Sequence, residues 1–290
     1  GSVNVAAKNS ASVNRGGVYD YNAHGVVGAV GGYEDVQSDV TVNRTSAVTV
    51  GKNSSVTART GDQVYEAYTD TSLVNRASGT TGAVLNAGNT ELATNITNTD
   101  TIEVGSGSSL VNPTGSTGSI IFAAHDDING YADSEATTGG VMTVVANSNV
   151  DAVTNRTNTV TVNGSLDSNR DVNLYAGAGT DGTLSDMYYK LVAEAYNYSL
   201  IPSVSPDVWH TVTEAGQVTV GSDAVIKTTG DINLIANNGR ESLYTETQSW
   251  SWWKGISGDT ESSSLLGSVN GVSDYGQTTD NFAKIDGTVT

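Results

Sequence analysis

The sequence has no cysteine, 3 prolines, 2 phenylalanines and 2 methionines, and sets only 13 basic side chains against 31 acidic ones. Without cysteine there are no disulfides, no thiolate metal site and no cysteine nucleophile. The shortage of cations leaves a net charge of −18. That charge excludes nucleic acid as a natural partner, because phosphates demand basic patches, and it opposes docking on an anionic membrane. No apolar run is long enough to make a transmembrane helix, so no membrane insertion is expected. The opening Gly1-Ser2-Val3-Asn4 carries no basic or apolar leader region and no Met. The chain therefore reads as a processed piece or a segment.

In place of these residues stand 36 Val against 13 Leu, with 37 Thr, 32 Ser, 26 Asn and 33 Gly. β-branched side chains suit a pleated surface and crowd a helix, so strands and turns are favoured. The order in which they come is periodic. Val48-Thr49-Val50-Gly51 recurs as Ile102-Glu103-Val104-Gly105, Val160-Thr161-Val162-Asn163 and Val218-Thr219-Val220-Gly221, at spacings of 54, 58 and 58 residues. A second element reads Ile120–Ala124, Val172–Ala176 and Ile232–Ala236, with Val3–Ala7 on the same template. Asp62–Ala67 is a degraded copy in which Glu66 interrupts the strand. A third, Asn43-Arg44-Thr45, Asn95-Ile96-Thr97 and Asn155-Arg156-Thr157, precedes the first.

Within the second element apolar residues alternate, as at Val172, Leu174 and Ala176, which is the period of a strand with one buried face. Gly, Asn and Asp flank these pieces and supply sharp corners. In Val218–Asn238, about 20 residues carry three strand pieces, Val218–Val220, Val225–Ile226 and Ile232–Ala236. Short strands and polar corners repeating in register predict an all-β chain, a parallel β-helix or β-solenoid, over residues 1–290. It holds about five degenerate repeats of ~58 residues. Protruding hairpins or loops are placed at 10–36, 68–90, 125–140, 177–206 and 238–280, where the copies differ most. Tandem immunoglobulin-like sandwiches need ~100 residues each, and propeller blades need a more even period.

The phrases VTVGSDAVIKTTGDINLIANNG (218–239) and VTVNGSLDSNRDVNLYAGAG (160–179) resemble repeats of large bacterial filamentous adhesins. The likeness is to the leukotoxin-type filamentous adhesins, related in style to filamentous haemagglutinin, and covers about half the chain. It implies a right-handed parallel β-helix shaft, secreted through an outer-membrane pore and displayed on a Gram-negative-type surface. The function this suggests is a structural or adhesive shaft of an extracellular filament, without catalysis. Its partners would be neighbouring repeats or subunits end to end, and host or matrix glycans or proteins. The alternative is a polysaccharide-binding or polysaccharide-degrading β-helix protein. The two differ in carboxylate placement: an enzyme gathers two or three Asp or Glu in one groove, whereas a shaft disperses them.

Candidate chemistry is thin. His24, His125 and His210 have no zinc-ligand spacing, and no G-x-S-x-G elbow is present. His125-Asp126-Asp127 reads as a solvated corner after a strand. The Asn-x-Ser/Thr triplets at Asn43, Asn53, Asn95, Asn155, Asn163 and Asn197 read as turn chemistry. Trp250, Trp252 and Trp253 form the candidate binding platform, since exposed indoles stack on apolar ligand faces; the plainer reading packs them on the shaft. No catalytic residue, metal ligand or cofactor is assigned, although the acidic surface could attract calcium. The last residues, Gly287–Thr290, read as the start of a further first element. With no recognisable cap at either end, end-to-end stacking is expected.

Overall fold

A computed structural model of the chain describes residues 1–13, 21–201, 204–251, 256–264 and 273–290. These residues form strands and connections, with no helix. In order the strands are β1 (Val3–Val13), β2 (Ala23–Val50), β3 (Ser55–Thr57), β4 (Gln63–Val104), β5 (Ser109–Asn112), β6 (Ile120–Val162), β7 (Ser165–Ser168), β8 (Val172–Ala176) and β9 (Asp186–Ile201). They continue with β10 (Val204–Val220), β11 (Val225–Thr228), β12 (Ile232–Ala236), β13 (Arg240–Ser251), β14 (Ile256–Ser264), β15 (Ser273–Thr279), β16 (Phe282–Ile285) and β17 (Thr288–Val289).

Apart from β13–β14, the strands pair in parallel, each repeat with the next. β4 lies between β2 and β6 along nearly its whole length, Ala77 meeting Ala23 and Ser134 on either side. β3, β5, β7, β11 and β17 form a separate five-stranded sheet. Each ~58-residue repeat thus contributes one rung.

The 42 residues of β4 do not run straight. Thr69 Oγ1 donates to Asp100 at 2.7 Å, Thr71 Oγ1 to Asn98 at 3.1 Å and Asn75 Nδ2 to the Ala93 carbonyl at 3.1 Å. These pairs close on a crease at Val84–Leu85. An outgoing arm and a return arm therefore face one another through side chains, while their backbones pair with neighbouring repeats. An irregularity at Asn86/Ala87 marks the start of the return. An arm of about 20 residues extends roughly 65 Å, whereas five rungs stack to roughly 20 Å.

Two cores follow from the alternation. In the first, the base of the outgoing arm, the end of the return arm and the short strand each present apolar columns. The Val-x-Val residues give Val48, Ile102, Val160 and Val218; the second element gives Tyr65, Phe122 and Leu174; the short strands give Leu110, Leu166 and Ile226. The other core lies between the arms and includes Leu73, Leu92, Ile96, Leu191 and Val212. Corners are set locally. Asn53 (φ 58°) and Gly107 (φ 72°) occupy equivalent corners in the left-handed region that Gly and Asn tolerate.

Four expectations change. The excursions are mostly arms continuous with the parallel ladder; a true antiparallel hairpin among the described residues is β13–β14, inside window 238–280. Glu66 does not break the core alternation, because it points outward between the inward Tyr65 and Ala67. The third element is not in register throughout: Asn155 pairs with Thr97, not with Asn95. At the carboxyl end, Ala283–Ile285 occupy the Val-x-Val place beside Val218–Val220, and Thr288–Val289 pair with β11.

Phe122 is fully buried, and its ring stacks on Tyr65 at 5.0 Å. Phe122→Ala is expected to lower unfolding free energy by about 3–5 kcal/mol in chemical denaturation. Outward-facing Ile121→Thr should cost about 1 kcal/mol or less.

Candidate functional site

The sequence-predicted platform is only partly placed. Trp250 sits on β13, but its side chain lies outside the described residues, as do Trp252 and Trp253 altogether. His125, Asp126 and Asp127 do not make a corner, because β6 runs through them. Alternation sends His125 and Asp127 outward and Asp126 inward, so the three cannot converge on one ligand. His125 stacks on Tyr68 at 4.5 Å and meets Glu66 at 3.2 Å, and Lys8 pairs with the same Glu66 at 2.8 Å. The sequon asparagines Asn43, Asn95 and Asn155 lie within strands rather than turns, and Asn197 is buried. Among the described residues no group of three or more His, Asp or Glu is placed to hold a metal ion.

Where the arms leave the first core, a buried polar network crosses the stack. Arg156 is fully buried. Its Nε donates to Asp126 at 3.0 Å and its Nη1 to Glu214 at 2.7 Å. Asn98 and Asn158 donate to the two Asp126 oxygens at 3.1 and 2.8 Å. Asn98, Arg156 and Glu214 occupy successive rungs of the return arm. Asp100, one position along, accepts from Thr69, and burial pushes its carboxyl up to about 8. Burial likewise pushes Glu214 up to about 8, reinforced by a hydrogen bond with Glu241 and opposed by Arg156. His210, wedged beside Tyr189 and bonded to Thr154, is driven down to about 4 by burial. The sequence signal for this network was the Asn-Arg-Thr triplet, whose Arg156 faces inward.

Among the described residues, two of the concavities that carry polar groups bear on function. One, of about 650 Å³, is lined by Glu214, Glu241, Asp186, Asn237, Gln277 and Thr279. In it Tyr275 and Gln277 donate to Glu241 at 2.6 and 2.8 Å. The other, of about 360 Å³, is a groove on the outward face of the return arms, between Asp39, Glu91, Ala93, Asn149, Asp151, Asp207 and Trp209. A third feature is an exposed apolar ridge at the crease, where Val30, Val84 and Val141 stand on successive rungs beside Leu85.

No family model, no curated protein and no solved structure matches this chain.

The buried titratable groups set a pH dependence. Asp100 and Glu214, with Glu194 raised to about 7 chiefly by burial, take up protons in the folded state that the unfolded chain binds only near pH 4. Folding therefore gains stability as pH falls from about 8 toward 5. His210 works the other way, since the unfolded imidazole protonates near 6.5 while the folded one resists to about 4. Three carboxyls outweigh one imidazole, so melting temperature is expected to rise between pH 8.5 and 5.5. Asp100→Asn should reduce that rise. Thermal melts across the range decide it.

Proposed function

We propose that this chain is a stretch of right-handed parallel β-solenoid serving as a structural and adhesive shaft of an extracellular bacterial filament, without catalysis. One observation carries the reading: the inward columns run through every rung and stay open at both outer rungs. Val5 is 42% exposed in the column that buries Phe122 completely, and Ile285 and Val289 are each 44% exposed in columns that bury Val220, Val162 and Val104, and Ile226, Leu166 and Leu110, completely. Outer rungs of this kind template another rung, whether from the same chain or from a second copy. The secreted, surface location rests on the resemblance of the repeats. The arms make the shaft a flat blade, wider across the stack than along it at this number of repeats.

A second reading, a polysaccharide-degrading β-helix, is favoured by one observation, the meeting of Glu214 and Glu241 in the larger cavity. The shaft reading is preferred because both groups are already engaged, Glu214 by the buried Arg156 and Glu241 by Tyr275 and Gln277.

Sedimentation velocity over a concentration series should show higher-order species that Ile285→Lys with Val289→Lys suppresses. A strictly monomeric chain at high concentration would remove end-to-end association. On a panel of plant and bacterial polysaccharides no reducing ends should be released; release that Glu241→Gln abolishes would establish the enzyme instead.

A further inference from the structure

We propose that the outward groove of the return arms binds a neutral glycan, laid along the ladder with one sugar face on Trp209. Two adjacent columns build it. Asp39, Ala93, Asp151 and Trp209 pair rung by rung on β2, β4, β6 and β10. Beside them Gln37, Glu91, Asn149 and Asp207 do the same. Three rung spacings separate Asp39 from Trp209, roughly 14 Å, the reach of a short oligosaccharide.

Each part has a physical role. Trp209 is 51% exposed on a strand whose flanking Val208 and His210 point inward and are buried. An exposed indole is costly to leave wet and offers a flat apolar face for the C–H side of a pyranose. Ala93, between two aspartates in its column, leaves the depression that makes the groove. Carboxylates accept hydrogen bonds from sugar hydroxyls, and the Asn149 amide both donates and accepts. Asp207, paired with Asn149 on the neighbouring rung, lines the groove beside Trp209. Four carboxylates and no basic side chain line the groove, which repels uronic and sulfated glycans.

Charge alone would also admit a basic peptide. A peptide is disfavoured because the strands along the middle of the groove, β4 and β6, pair on both sides; only β2, at the Asp39 end, leaves a backbone edge free. A glycan needs no such pairing.

The test uses the whole chain against immobilised cello-, chito- and laminari-oligosaccharides, with heparin and hexalysine alongside. At least one neutral oligomer should bind and perturb tryptophan fluorescence. Trp209→Ala should weaken binding about tenfold or more, and Ala93→Tyr, which fills the depression from an outward position, should abolish it. Circular dichroism checks that both variants keep the strand signal. The proposal falls if no neutral oligomer binds the folded chain, if binding survives both substitutions, or if only heparin or only hexalysine is retained. Its failure leaves the shaft reading intact, because that reading is judged by sedimentation.

Discussion

Parallel backbone pairing at one repeat's offset is the constraint on which the rest of this molecule depends. Side chains alternate faces with period two, so a slip of one residue between neighbouring rungs would exchange every inward group for an outward one. The columns hold register across β2, β4 and β6 for most of two arms. Once that is fixed, a single residue type at one position becomes a line of residues along the stack. The first core is such a set of lines, and so is the outward groove.

The same constraint explains how insertions are absorbed. Val13 and Ala23 are separated by nine residues, where their partners Leu73 and Ala77 are separated by three. Ala176 and Asp186 enclose another insertion, closed by the bridge between Ala178 and Leu184. In both places the columns resume in phase on the far side of the extra residues. A repeat of this design can change length locally without changing its core.

Legibility in the sequence followed hydrophobic contrast. Val48, Ile102, Val160 and Val218 were readable as inward columns because polar residues alternate with them. The interior of the arms has no such contrast: Thr69, Thr71, Asn75, Asn98 and Asp100 are all buried, and an inward line of Thr, Asn and Asp has the composition of a loop. Hence the arms were expected as loops or hairpins. Asp126 was hidden for the same reason, since a carboxylate between His125 and Asp127 reads as solvated unless its partner Arg156, thirty residues away, is known. In the sequence the tryptophan cluster near residue 250 draws attention as a platform, whereas Trp209 stands alone. Three of its four carboxylate neighbours, Asp39, Glu91 and Asp151, come from other repeats, a proximity that only the register reveals.

A polar interior between the arms has a consequence for specificity. Apolar columns tolerate many mutual alignments, since any Val packs acceptably on any other. Arg156 does not, because its guanidinium must reach Asp126 across the arms and Glu214 on the next rung. Leaving either charge unpaired in the interior is far more costly than the intact pair is stabilising. A misregistered or wrongly folded arm therefore strands a buried charge, whereas the correct one satisfies it. The network adds little net stability to the ladder and penalises its alternatives, a division of labour in which hydrophobic columns supply the driving force and buried polar lines supply the register.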